Sequence, residues 1–228
     1  MTSHLAAGVQ LVWFKRDLRV CDHAPLHEAA ARGPVLPLYI AEPGWWAQPD
    51  ASARHWAFTR ECLDELRGDL AALGQPLVVR LGDALAVLEG LLEHVPVVSV
   101  WSHEETGNAW SYARDRAVGR WLRDRGVPWH EIAQHGVVRR LKDRGSWSRQ
   151  WERRMRAAVL QAPALRPLTS AGVAIDPGTL PTEADLGLTG DPCPGRQRGG
   201  RREAELTLDS FLTERGANYH LEMSRPNT

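Results

Sequence analysis

The chain alternates between short apolar runs and longer segments whose apolar residues recur every three or four positions. The first run, VQLVWF at 9–14, is apolar on both faces and predicts a central, parallel strand. It stops at Phe14 and gives way to Lys15-Arg16-Asp17-Leu18-Arg19. Asp22 reads as the N-cap of a helix with Pro25 just inside it and Gly33 just past it. Residues 35–40 form a second strand. Ala41-Glu42-Pro43-Gly44 then reads as a turn, with Trp45 and Trp46 in a loop. Ser52 opens a long helix whose buried stripe is Trp56, Thr59, Leu63, Leu66, Leu70 and Leu73, closed by Gly74.

Residues 76–80 predict a third strand. Gly82-Asp83 caps a helix with the stripe Leu85, Leu88, Leu92 and Val95. Residues 97–101 are a fourth strand, followed by the loop His103-Glu104-Glu105-Thr106-Gly107-Asn108. The next helix puts Trp110, Ala113, Ala117 and Trp121 on one face and ends at Gly126. Residues 128–132 are a fifth strand. This alternation predicts a doubly wound, Rossmann-like α/β fold. Five parallel strands in the order 3-2-1-4-5 carry helices on both faces, joined by right-handed crossovers. In such sheets the ligand crevice lies at the carboxyl ends of the strands, where the KRDLR loop falls.

Beyond residue 132 the pattern changes. Residues 141–160 are basic and interrupted, with Trp147 and Trp151 four apart. Residues 161–200 are rich in Pro, Gly and Thr and read as a linker or surface-wrapping segment. A last helix is expected at 201–215, with Ala204, Leu208, Phe211 and Leu212 as its apolar face. Three units follow: an α/β domain at 1–135, a basic helix and linker at 136–200, and a further unit beginning at 201–228.

Composition narrows the function. The 228 residues carry 28 Lys and Arg against 28 Asp and Glu, which argues against a domain devoted to gripping phosphate backbones. Cys21, Cys62 and Cys193 lie far apart, forming neither a disulfide framework nor a zinc site and fitting a reducing cytoplasm. Neither a signal peptide nor a membrane-length apolar run stands out. Ten tryptophans accompany only three phenylalanines and three tyrosines, and packing accounts for them more simply than electron transfer.

The common catalytic signatures are missing. No glycine-rich dinucleotide or P-loop motif follows a strand. Ser99, Ser102 and Ser111 lie in no nucleophile elbow, and His103-Glu104-Glu105 lacks the second histidine of a zinc-binding helix. Asp17 is read in two ways, as the anchor of the strand-to-helix turn and as part of a crevice wall. Glu104 and Glu105, just past the fourth strand, are candidate ligand contacts. The basic run of Arg139, Arg140, Lys142, Arg144, Arg149, Arg153, Arg154 and Arg156 reads as the solvated face of a helix that packs Trp147 and Trp151 inward, with nucleic-acid binding as the alternative.

LVWFKRDLRVCDHAPLHEA at 11–29 resembles the opening strand and loop of the photolyase/cryptochrome family, a W-F-R/K-R/K-D-L-R-x-x-D pattern. The five strand–helix units resemble that family's N-terminal domain. The tail GGRREAELTLDSFLTERGANYHLEMSRPNT resembles the approach to its helical flavin domain. The resemblance covers essentially the whole chain. It implies light-driven, FAD-dependent repair of pyrimidine dimers in damaged DNA by a full-length cytoplasmic photo-lyase. The FAD and lesion sites then lie in a helical domain that docks on this one, and the chain stops before that domain. The alternatives are a blue-light photoreceptor cryptochrome without repair activity and a stand-alone nucleotide-binding module. For the chain itself, the resemblance implies an antenna chromophore between the domains, with Arg16, Asp17, Glu42 and Glu104 as crevice residues. Tyr219 resembles a flavin-phosphate contact, with Ser224 its neighbour. Folate-binding members carry an Asn-Glu pair before an Arg-Asp; here Trp110-Ser111 precede Arg114-Asp115, so the identity of the antenna stays open.

Overall fold

The computed structural model describes residues 8–224. Five parallel strands, β1 (Val9–Phe14), β2 (Val35–Ala41), β3 (Val78–Leu81), β4 (Val97–His103) and β5 (Trp129–Ile132), form one sheet in the order β3-β2-β1-β4-β5. This is the doubly wound order expected. Successive side chains of β1 alternate between two cores. Val12 and Phe14 join the helices α1 (Ala24–Arg32) and α3 (Ala53–Ala72) on one face. Val9, Leu11 and Trp13 join α4 (Ala84–His94) and α5 (Ala109–Asp124) on the other. A strand buried on both faces needs this two-sided apolar content, and the period of two divides it.

The helix starts follow their capping chemistry. The Ser52 side chain accepts from the backbone N–H of His55, and Asp83 accepts from Leu85 and Ala86. The first helix departs from expectation: His23, not Asp22, is its N-cap, with Nδ1 accepting from the Leu26 N–H at 3.1 Å. Asp22 has φ 51° and is otherwise engaged. Its N–H donates to Leu160 O at 2.7 Å, and its carboxylate accepts from the Leu160 N–H at 3.3 Å. The turn at 41–44 also differs, since Pro43–Trp46 form one helical turn, α2.

α5 is rotated relative to the expected face. Its buried positions are Ser111, Asp115, Val118 and Leu122, whereas Ala113 is exposed and Trp110 and Trp121 are half-buried. Counting only apolar residues shifted the stripe by one position, because two of the inward residues are polar.

Residues 161–200 wrap the surface through short 3₁₀ turns. Leu165, Leu168, Val173 and Leu186 are buried and drop into the two cores. Leu165 N–H donates to Leu73 O at 2.9 Å beside Gly74, whose φ is 110° and where a Cβ would stand 2.8 Å from Leu165 O. Farther on, the N–H of Val79 donates to Pro177 O at 2.8 Å, so the wrap covers the free edge of β3.

Past the wrap, α7 (Arg201–Ser210) passes through a π-type turn, Phe211–Arg215, into α8 (Tyr219–Glu222). The apolar face expected here has no core beneath it: Leu208 and Leu212 are exposed. The helix α6 (Trp147–Met155) likewise fails to bury its tryptophans, each of which is 41 % exposed. They lie against the 133–140 loop. Trp147 Nε1–H donates to Gly136 O at 2.8 Å, and the Trp151 ring lies against Gly136. No helix among the described residues is long and apolar enough to cross a membrane.

If the wrap is an integral part of the core, Leu186→Ala lowers unfolding stability by about 2–4 kcal/mol. Urea denaturation checks this. A midpoint unchanged from the parent would mean that the segment is merely draped over the domain.

Candidate ligand crevice

Asp17 closes the loop after β1. Its Oδ1 accepts the Lys15 N–H at 2.8 Å. Its Oδ2 lies 2.8 Å from His23 Nε2 and 2.6 Å from His103 Nδ1. His103 is the last residue of β4 and His23 the cap of α1, so one buried carboxylate ties together two strand ends and a helix start. His23 Nδ1 already accepts from Leu26, so its proton sits on Nε2 and points at Asp17. Burial pushes the His23 pKa down against the attraction of Asp17, consistent with a neutral ring. Burial by itself would raise the Asp17 carboxyl. Attraction to His23 and the hydrogen bonds from His103 and His23 outweigh it and hold the pKa well below the ordinary carboxylate range. Asp17, His23 and His103 are metal-ligand types within reach of one another. The shared Oδ2 and His23 Nδ1 are already spent on hydrogen bonds, which makes the cluster a structural clamp.

Beside the clamp lies a buried ion network centred on Arg114 of α5. Its guanidinium donates to Glu42 and Glu105 and, at 2.9 and 3.0 Å, to Asp115. Asp115 also accepts from Lys15 Nζ at 3.2 Å. The Arg114 carbon lies 4.8 Å and Lys15 Nζ 4.7 Å from the centre of the Trp13 ring, so both cations cover one indole. Buried charges persist only when paired in this way.

One oxygen is left over. Glu42 follows the last residue of β2 and is 4 % exposed. One of its oxygens is taken by Arg114; the other, Oε1, is buried without a hydrogen-bond partner. Burial pushes the Glu42 pKa up to about 7 despite the pull of Arg114.

These residues border a crevice of about 590 Å³ at the carboxyl ends of β1 and β2. Trp13, Tyr39, Trp45, Trp46 and Phe58 give it aromatic walls, and the start of α7, at Arg201 and Ala204, closes one side. Trp45, Trp46 and Trp56 stack edge to face, with ring centres 4.5 and 5.1 Å apart. Arg16 is half exposed at the mouth, 5.2 Å from the Trp45 ring and 3.4 Å from Glu105. Planar walls, a half-exposed cation at the mouth and one unpaired buried acceptor suit a flat, conjugated ligand bearing N–H groups.

The expected site residues divide. Arg16 and Glu42 line the crevice; Asp17 lies behind it in the clamp. Glu104 is not among the lining residues: its backbone N–H donates to Ile132 O at 2.8 Å, and Glu105 takes the crevice position. Tyr219 lies apart from the crevice, exposed and edge-on to Phe211 at 5.4 Å. Sequence reasoning missed His23, Trp45 and the hub role of Arg114. The period 111, 115, 118, 122 was the available signal for the hub, since it places Asp115, and with it Arg114, toward the sheet.

Comparison with known proteins gives a consistent pattern. Residues 10–144 match the family model described as DNA photolyase. Over 107 residues the chain is 34% identical to a chloroplastic/mitochondrial cryptochrome DASH of Oryza sativa subsp. japonica, covering 43% of the chain and 18% of that protein. It is 28% identical over 239 residues to the deoxyribodipyrimidine photo-lyase of Halobacterium salinarum, covering 95% of the chain and 48% of that protein. The crystal structure of a class III photolyase from Agrobacterium tumefaciens superimposes with a TM-score of 0.74 at 21% identity, covering 100% of the chain and 50% of that structure. The chain thus spans at most about half the length of these relatives.

Two titrations test the site. Asp17→Ala lowers stability by about 3 kcal/mol at neutral pH, because two histidines and a backbone N–H lose an ionised acceptor. A carboxyl with a depressed folded-state pKa stabilises above its unfolded pKa of about 4 and loses that contribution as pH falls through the folded value. Thermal unfolding of parent and variant therefore converges in strong acid; a gap that persisted there would contradict the clamp. Glu42 has the opposite sign. Its folded pKa is raised, so the parent loses stability as pH climbs from 4.5 to about 7. Glu42→Gln removes that slope, and parallel pH–stability curves for the two proteins would refute the raised value.

Proposed function

The chain belongs to the photolyase/cryptochrome family, and from that premise we propose that it is the antenna-chromophore domain of a light-driven, FAD-dependent DNA photolyase. The family acts on damaged DNA and generally binds FAD. In this reading the catalytic flavin, which supplies the light-driven electron transfer, is held by a helical domain continuing from residues 201–228 and docking over the crevice. The residues of this chain hold a second, light-gathering ring.

The observation that carries the reading is the unpaired Oε1 of Glu42, buried in an aromatic-walled crevice. An orphaned buried acceptor costs about 1–3 kcal/mol, and a ligand N–H offsets that cost on binding. Trp45 and Trp46 supply stacking surface, and Arg16, half exposed beside Glu105, supplies a cation for an anionic tail at the mouth. Asp17 contributes at one remove, by fixing the loop that carries Lys15 and Arg16. A blue-light photoreceptor without repair activity would rest on the same crevice. Pyrimidine-dimer cleavage by the chain joined to its flavin domain separates the two readings.

The crevice itself is tested by fluorescence titration of the chain with a reduced folate, a deazaflavin and FMN. One of the three is expected to bind with micromolar affinity and quench tryptophan emission. Glu42→Leu and Trp45→Ala each weaken it about tenfold or more, a loss of about 1.4 kcal/mol. Failure of all three to bind below about 1 mM, or unchanged affinity in both variants, would overturn the antenna assignment.

A further inference from the structure

The chain is electrically neutral as a whole but strongly polarised along its length. Residues 112–156 hold 13 of its 28 Lys and Arg and only 5 of its 28 Asp and Glu. The fold gathers much of this excess on the side of the sheet that ends in β5. There a groove of about 760 Å³ runs between the outer face of α5 and the loop after β5. Tyr112, Arg116, Arg120, Arg123, Arg139 and Arg140 line it, with Trp129 beside them. Arg139 is spoken for by Glu131 and the Glu105 carbonyl. Arg116, Arg120, Arg123 and Arg140 are exposed and have no carboxylate partner within salt-bridge distance among the described residues. The same holds for Lys142, Arg144, Arg149 and Arg153 on the adjoining segment.

Unpaired arginines so close together repel one another. Asp115 and Glu131 also border the groove, but Asp115 is committed to Arg114, Lys15 and Arg139 and Glu131 to Arg139, so neither pairs with Arg116, Arg120, Arg123 or Arg140. Their spacing is also regular. Positions 116, 120 and 123 recur at i, i+4 and i+7, which sets them along one helix face over about 10.5 Å. Phosphates of one DNA strand recur about every 3.4 Å along the duplex axis, so this row spans about three phosphate steps. Each planar guanidinium suits a phosphate's oxygens.

A second feature adjoins the groove. The 135–140 loop places Arg139 and Arg140 in the groove and Gly136 under the Trp147 and Trp151 rings. Those two indoles, with ring centres 6.3 Å apart, are partly exposed between Arg149 and Arg153. Aromatic platforms interleaved with unpaired cations are the combination that single-stranded nucleic acid uses, stacking its bases while its backbone is neutralised. An acidic peptide or an anionic lipid surface would use the cations alone, whereas bases also use the paired indoles.

We propose that the α5–β5 groove and the adjoining Trp147–Trp151 platform form a sequence-independent nucleic-acid backbone site. The site is separate from the crevice and lies on the α/β domain itself. It needs no chromophore, light or lesion, so its test is independent of the antenna reading.

The experiment is fluorescence anisotropy of the 228-residue chain with labelled, undamaged 20-nucleotide single strands and duplexes in the dark. At about 50 mM salt both are expected to bind with dissociation constants of about 1–100 µM, weakening steeply as salt is raised. Replacing Arg116, Arg120 and Arg123 together by Ala should weaken duplex binding at least about tenfold and reduce the salt slope by about 2.7. The triple Arg→Lys variant keeps most of that slope, and a control with Arg54→Ala and Arg60→Ala on α3 binds like the parent. Trp147→Ala with Trp151→Ala should weaken the single strand more than the duplex. Circular dichroism confirms that each variant is folded. The proposal is overturned if neither oligonucleotide binds below about 1 mM, or if the triple Ala variant binds as the parent does. It is equally overturned if a polyglutamate peptide or phosphatidylserine vesicles bind while nucleic acid does not.

Discussion

A carboxylate shut away from water holds the ligand edge of this domain together. Asp17 receives the Lys15 N–H on one oxygen and lies against two histidines on the other, and each partner comes from a different element. An ionised carboxylate in a dry setting is tolerated only when donors surround it. That demand fixes three things at once: the sharp exit from β1, the register of α1 through its His23 cap, and the end of β4. Arg114 meets the same demand with the opposite sign, since three carboxylates surround one guanidinium. The crevice is what remains between these two dry charge clusters and the indoles packed on them.

Much of the fold was legible in the sequence because burial on both sides of a parallel sheet leaves a simple mark. Runs such as VQLVWF and VLPLYI have no other comfortable home, and the strand order follows from alternation and handedness. What was illegible was polar burial. Asp115 and Ser111 face inward on α5, so an apolar-only stripe pointed one residue away from the true face. Asp22 looked like a cap, but its left-handed backbone and its bonds to Leu160 could not be inferred from the local residues. The crevice was half legible. Its position followed from the strand ends and Arg16 and Glu42 from the family resemblance, whereas Glu105 in place of Glu104 depends on a one-residue choice in a loop.

The aromatic content divides along the same line. Trp56 and Trp101 are buried and behave as packing residues, as expected of large rings in a core, whereas Trp13 and Trp46 are buried and also border the crevice. Trp45 lines the crevice, and Trp147 and Trp151 stay partly exposed against the Gly136 loop. A neutral total charge hid an equally uneven distribution. The 28 cations and 28 anions are unevenly spread along the chain, so a neutral total is compatible with a locally basic groove.

The crevice and the basic groove are back to back. Arg114 lines the crevice, and Asp115, its neighbour in sequence, lines the groove and pairs with both Arg114 and Lys15 of the crevice wall. Asp115 accepts from Lys15 on the crevice side and lies 3.6 Å from Arg139 on the groove side. Arg139 in turn donates through two nitrogens to the Glu105 carbonyl, at 2.6 and 3.1 Å, and so bears on the loop that supplies a crevice carboxylate. Buried charges of this kind are poorly screened by salt. Removing the Asp115 charge would leave Lys15 unpaired against Trp13 and take one anion from Arg139, which keeps Glu131 and the Glu105 carbonyl. The two surfaces are therefore built on one charge network, and neither can be altered at Asp115 without disturbing the other.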